Sequence, residues 1–126
     1  LIEIPTYNGS GVYSITNLKN GKRYIGQSVR VRDRLNQHFY LLKHQKHSSE
    51  NMQRDFLSGD DFIFEILFKS NEAKWGSQIR RNKERQLTLY YDSCANGYNK
   101  TIPQVAEIMP LEQRQALKIK RILEEC

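Results

Sequence analysis

At 126 residues, 38% hydrophobic and with a mean hydropathy of −0.72, the chain is long enough for one domain with its own core and too short for two. Its formal charge of +6 at pH 7 and its pI near 9.4 point to a polyanionic partner, nucleic acid first. No apolar run reaches the roughly 18 residues needed to span a bilayer and no secretory leader is recognisable, which leaves the cytoplasm as the expected compartment.

Residues 11–28, GVYSITNLKNGKRYIGQS, alternate around Asn20-Gly21, the pattern of an antiparallel hairpin with strands over 11–18 and 23–28. An even-numbered loop sets Leu18 opposite Arg23 and Asn17 opposite Tyr24. Tyr13, Ile15, Asn17, Tyr24, Gly26 and Ser28 then share one face, whereas a three-residue loop separates the tyrosines. Val31, Leu35, Phe39 and Leu42 recur at helical spacing over 29–42, with Ser28 as N-cap; Arg34 and His38, four apart, border that apolar stripe. The polar HQKHSS connection leads to Ser48 or Ser49, either of which can cap a short helix that runs through Leu57 and closes at Gly59.

FIFEILF, residues 62–68, is apolar on both faces except at Glu65, which predicts a central strand. The longest helical pattern covers 71–94, with Trp75, Ile79, Leu87, Tyr91 and Cys94 as its buried stripe and Glu84 beside that stripe amid Arg80, Arg81, Lys83 and Arg85. Asn96-Gly97 ends it, Pro103 and Pro110 bracket a connector, and residues 111–125 read as one more helix. Cys94 and Cys126 are the only cysteines, which supports neither a disulfide framework nor a thiolate zinc site and predicts a buried Cys94. The positive charge is local: residues 11–54 carry nine Lys and Arg against Asp33 and Glu50, whereas 55–73 are acidic.

Gly11-Val12-Tyr13 and Tyr24-Ile25-Gly26 around a hairpin, then Arg34 and His38 as R-x-x-x-H, Glu84 on a later helix and Asn99 in NGYN together resemble the GIY-YIG nuclease signature, with Val12 in place of the isoleucine. With HSS at 47–49 and GYN at 97–99, the run is most similar to the catalytic domains of phage and intron homing endonucleases and covers residues 10–100. The resemblance implies an α/β (α+β) fold, a small three-stranded, mainly antiparallel sheet flanked by helices, with an extra C-terminal helix. The chain divides into a catalytic domain over 1–102 and, over 103–126, a connector and helix, expected to lead toward a separate DNA-binding region because specific homing needs more contact surface than this domain offers. The implied activity is hydrolysis of double-stranded DNA with Mg²⁺, for which Mn²⁺ substitutes, and the implied partner is neither a membrane nor a small molecule.

In that chemistry a water loses its proton while negative charge builds on the phosphate and on the leaving 3′ oxygen. Glu84 is the one carboxylate of the pattern and would hold a single hard cation, with waters and the substrate phosphate completing its shell. Arg34 can fork onto phosphate oxygens. Tyr13 is the candidate base or proton relay, Tyr24 positions water or phosphate, His38 can accept a proton from the nucleophile or from Tyr13, and Asn99 fixes the site or its loop. His47 is a possible catalytic or phosphate contact, Lys22, Arg23, Arg30 and Arg32 are candidate DNA contacts, and Gly11 and Gly26 leave room for a phosphate or a close backbone.

Each residue also has a plainer reading. The tyrosines suit strand packing, His38 a helix face, Arg34 a surface ion pair with Asp33 or Glu50, and Asn99 a turn. A restriction-type or repair-type nuclease, a non-catalytic basic nucleic-acid-binding module and a structural interaction domain are the alternatives. The isolated Glu84 among Lys and Arg favours the enzyme, since pure phosphate binding gains nothing from a carboxylate.

Overall fold

The computed structural model describes residues 2–70 and 76–104. Its elements are β1 (Gly11–Asn17), β2 (Arg23–Ser28), α1 (Val31–Lys43), α2 (Glu50–Leu57), β3 (Phe62–Lys69) and α3 (Gly76–Tyr90). The expected helix over 111–125, and Trp75 in the expected stripe of the third helix, lie outside the described residues.

The strands form one antiparallel sheet in the order β2-β1-β3, the expected α+β arrangement. β1 is central and buried along its whole length, so its polar side chains need partners. Ser14 Oγ and Thr16 Oγ1 lie 2.8 Å apart, and Asn17 Nδ2 donates to Asp60 Oδ2 at 2.9 Å and to Tyr98 Oη at 3.0 Å. Asn17 N donates to Lys22 O and Gly21 N donates to Asn17 O, which leaves the four residues 18–21 as the hairpin loop. That even loop keeps both tyrosines on one face. The pairing itself is displaced by two residues from the expected one, with Ile15 opposite Tyr24 and Tyr13 opposite Gly26; an even displacement moves no side chain to the other face.

β3 is an edge strand and not the central one that its apolar run predicts. Its second apolar face holds Ile63, 40% exposed, and Leu67, the extra residue of a bulge at which Val12 pairs with Phe68 but Tyr13 with Ile66. Phe62, Phe64 and Ile66 thereby share the face of Tyr13 and Ile15, and Phe68 turns to the other. The first helix also starts later than expected, at Val31. Arg30 occupies its N-cap position without a side-chain bond, and Ser28 Oγ accepts from Arg30 N at 3.0 Å in the turn before it. Ser49 caps α2 as expected by accepting from Met52 N, and Gly59 follows at φ 86.

α1 and α2 cover one face of the sheet. The core there joins Tyr13, Ile15, Val31, Leu35, Leu42, Met52, Phe62, Phe64 and Tyr98, each large apolar side chain contributing about 1.5–3 kcal/mol. α3 packs against β2 and β1 from the other face, where Arg80 reaches Gln27 and Lys83 lies over Phe68. Its buried row is Gly76, Arg80 and Thr88, in place of the expected apolar stripe. Ile79 is 44% exposed, and Leu87, Tyr91 and Cys94 are only half-buried. α3 ends at Tyr90, short of residue 94, and Asp92 at φ 48 turns the chain away.

Candidate active site

Tyr13 sits mid-strand with Gly26 directly across from it on β2. A Cβ at position 26 would lie 2.9 Å from Tyr13 Cε1 and closer still to Cζ and Oη, so the missing side chain is the space that the phenol occupies. Gly11 serves close backbone approach: a Cβ there would lie 3.3 Å from the carbonyl carbon of Phe68 and nearer to its oxygen. The expected room for a phosphate is at neither glycine.

From Tyr13 a line of rings runs across the site. Tyr13 Oη is 2.7 Å from His38 Nε2, and His38 Nδ1 is 2.7 Å from His47 Nε2. α1 brings His38 there because it belongs to the buried row Val31, Leu35, His38 and Leu42, and does not merely border it. His47 enters from the loop between α1 and α2. Ser49 N donates to its Nδ1 at 2.9 Å. Gln53 fixes its backbone, accepting from His47 N at 3.1 Å and donating to Leu42 O at 2.9 Å. Tyr24, on the same sheet face, sets its ring edge-on to both histidines, with centroids 5.0 Å from His38 and 6.0 Å from His47.

The charges follow from burial and from Arg34. Burial, with His47 and Arg34 nearby, pushes His38 down to about 3; burial, with Arg34 and Lys100, pushes His47 down to about 4. Both rings are therefore neutral at pH 7. Burial, with a smaller push from Tyr24, raises the Tyr13 phenol well above its ordinary value against the opposing charge and hydrogen bond of Arg34. Burial likewise raises Tyr24, again opposed by Arg34. Arg34 thus acts on all four rings. Its side chain also donates to Gln37, and it forms no ion pair with Asp33 or Glu50 among the described residues; Asp33 pairs with Arg30 at 3.8 Å.

Glu84 comes to this place on α3, half-buried. Its burial holds the carboxyl above its usual range, with Arg80 pulling the other way, and its charge is felt by both Tyr13 and Tyr24. No hydrogen bond or ion pair from another described residue reaches the carboxylate. Among the described residues no three His, Cys, Asp or Glu side chains gather into a metal cage. A half-buried carboxylate that no described residue hydrogen-bonds, and whose charge reaches both tyrosines, fits one hard cation that takes its remaining oxygens from water and phosphate.

Asn99 holds the scaffold. Its Oδ1 accepts from Ile25 N at 2.8 Å and its Nδ2 donates to Ile25 O at 2.9 Å, while Tyr98 N donates to Arg23 O at 2.8 Å. The two residues close the free edge of β2 on either side of Tyr24. Of the basic residues, Arg30 and Arg32 are exposed and Lys22 is half-buried. Arg23 is tied into the opposite face, 4.0 Å over the Tyr91 ring and 3.4 Å from Ser14 Oγ.

Three supporting residues were not singled out from the sequence. Tyr98, 3% exposed, donates to Asp55 Oδ2 at 2.6 Å and anchors the loop that carries Asn99; a tyrosine framed by the turn residues of NGYN was its only trace. Arg80 is buried, donates to Gln27 Oε1 at 2.7 Å and precedes Glu84 by one helical turn, a spacing visible in the sequence. Gln53 left no local trace, because both of its partners are backbone atoms, which any sequence offers at every position.

Residues 9–99 match the family of the GIY-YIG catalytic domain. The chain is 33% identical over 91 residues to intron-associated endonuclease 1 of Enterobacteria phage T4, a match that covers 71% of this chain and 36% of that protein. Two solved structures are similar. One is a mutant of the catalytic domain of the intron endonuclease I-TevI, at TM-score 0.64 and 30% identity over 77% of this chain and 98% of that one. The other is the catalytic domain of the homing endonuclease I-TevI, at TM-score 0.63 and 31% identity over 73% and 98%.

Proposed function

Because the chain belongs to the GIY-YIG catalytic-domain family, we propose that it is a divalent-metal-dependent endonuclease of homing type that hydrolyses phosphodiester bonds of double-stranded DNA. The observation that carries this reading is convergence: Tyr13, Tyr24, His38 and His47 pack ring against ring, Arg34 acts on all four, and the charge of the half-buried Glu84 on α3 reaches both tyrosines. A module that only binds phosphate has no use for a desolvated carboxylate there, which would repel its ligand. The fold-level similarity to intron and homing endonucleases points the same way.

The geometry distributes the work. Arg34 lies where its guanidinium can take phosphate oxygens and offset the charge that grows on them in the transition state. Tyr24, half-buried with its hydroxyl on the shared face, orients the phosphate or the attacking water. Tyr13 is the base. Its phenol first gives its proton to solvent; the phenolate oxygen then takes the proton of the water as the water oxygen bonds to phosphorus, the bond from phosphorus to the 3′ oxygen breaks, and that oxygen leaves with a proton from solvent. Burial opposes the phenolate this requires, and the charge and hydrogen bond of Arg34 oppose burial. Glu84 would hold Mg²⁺ or Mn²⁺, which when bound would supply positive charge to offset the negative charge that builds in the transition state.

Supercoiled plasmid incubated with the protein and Mg²⁺, Mn²⁺ or excess EDTA tests this. Nicked or linear product with either metal and none with EDTA is the expected result. Retarded but intact plasmid under all three conditions would return the chain to the class of binding modules.

A further inference from the structure

A backbone N–H can only donate, and one such group sets the proton order of the whole ring line. Ser49 N donates to His47 Nδ1, so that nitrogen carries a lone pair and the proton of a neutral His47 is on Nε2. His47 Nε2–H must then donate across 2.7 Å to His38 Nδ1. With Nδ1 of His38 occupied as an acceptor, its own proton is on Nε2, from which it donates across 2.7 Å to Tyr13 Oη. We propose that the Ser49 amide fixes this one-way chain, so that His38 serves Tyr13 solely as a hydrogen-bond donor, with His47 and Ser49 as positioning residues of the cleavage site.

The proposal rests on the nuclease reading of the site and narrows it. His38 does not receive the proton that Tyr13 takes from water, because the nitrogen facing the phenol already holds one. The Tyr13 oxygen receives His38 Nε2–H and the Arg34 side chain, two donors that both strengthen as negative charge forms on it. When Tyr13 is a neutral phenol, no described residue is seen to accept its proton. Protonating either histidine would break one link of the chain, in accord with the strong downward displacement of both rings by burial and by the cations Arg34 and Lys100.

The chain is held from outside the reacting groups. Ser49 Oγ caps α2 at Met52 N, which orients the Ser49 amide toward the loop, and Gln53 clamps His47 N to the end of α1. The helix cap and the tautomer therefore have a common origin in the HSS stretch at 47–49.

Long-range proton–nitrogen correlation spectra of protein labelled with ¹⁵N-histidine, recorded near pH 7 without DNA or metal, read the tautomers directly and do not depend on cleavage. A His44→Ala variant removes the third histidine and completes the assignment. Both remaining rings should be neutral with the proton on Nε2. An Nδ1–H tautomer or an imidazolium in either ring would overturn the proposal while leaving the nuclease reading untouched. In His47→Glu the new carboxylate can only accept, so His38 should switch to the Nδ1–H form; an unchanged His38 would show that His47 does not set it. In single-turnover cleavage, His38→Gln keeps an N–H donor to Tyr13 and should stay within about tenfold of wild type, whereas His38→Ala should lose about 100-fold or more. A Gln variant as slow as the Ala variant would mean that His38 exchanges protons and would refute the donor role.

Discussion

Gly26→Ala asks whether the site is assembled by the close fit of Tyr13 against the opposite strand. The added methyl would lie 2.9 Å from Tyr13 Cε1 and nearer to the hydroxyl end, and the ring is only 2% exposed, so it has no solvent to move into. Overpacking of this kind costs about 1–3 kcal/mol, and displacing Oη from His38 Nε2 forfeits about 1 kcal/mol more. The sum, about 2–4 kcal/mol, corresponds to a melting temperature lower by about 8–16 °C in a domain of this size. Cleavage should fall further than stability, by about 100-fold, because a shift of about 1 Å at a reacting group is costly. Gly21→Ala is the control. Gly21 sits at φ 75 with nothing within 4 Å of its missing Cβ, so it should lose about 1 kcal/mol from left-handed backbone strain alone and cut DNA normally. Thermal unfolding by circular dichroism and single-turnover cleavage, measured on both variants, decide the matter. A Gly26→Ala protein that melts and cuts like Gly21→Ala would refute the fit.

Arg34→Lys should not restore the cleavage that Arg34→Ala loses, because an ammonium cannot fork two phosphate oxygens or serve four rings at once; a Lys variant with wild-type single-turnover rates would reduce Arg34 to bulk charge. Asn99→Asp keeps the acceptor for Ile25 N but places a carboxylate oxygen against Ile25 O, so it should destabilise more than Asn99→Ala, which costs about 1–3 kcal/mol for two unpaired groups; chemical denaturation that ranks them the other way would contradict the edge-closing role. The depressed histidines also make a pH prediction. The folded rings bind fewer protons than the unfolded chain, whose histidines titrate near 6.5, so their contribution is complete above that pH and is lost as pH falls toward the folded values of about 4 and about 3. Urea midpoints should fall between pH 7 and pH 4, less steeply in His38→Gln, and equal slopes in the two proteins would count against buried neutral rings.

The hairpin, the α2 cap and the order Arg34, His38, Glu84 were legible because each depends on local chemistry: alternation, a turn pair, a hydroxyl before a helix, spacing along one helix. The two-residue displacement of the hairpin was not, because parity is encoded by face and the exact pairing by the backbone bonds of the loop. β3 read as central because the exposed Ile63 and the bulged Leu67 make its second face look apolar in sequence. α3 was the most misleading element. Its sheet-facing row holds Gly76, Arg80 and Thr88, polar because it carries Glu84 into the site, so a search for apolar periodicity picked the exposed Ile79. The coupling of His38 to His47 spans nine residues and a loop, and no periodicity records it.

Cleavage and DNA binding measured side by side on wild type and Glu84→Gln test the central claim most directly. The variant keeps the shape of Glu84 and removes its charge and its affinity for a hard cation. Wild type should convert supercoiled plasmid to nicked or linear DNA with Mg²⁺ alone. Glu84→Gln should bind the same DNA at least as tightly, having lost a negative charge near the phosphate, and cut it at least about 100-fold more slowly. Undiminished Mg²⁺-dependent cutting by Glu84→Gln would contradict the site as described.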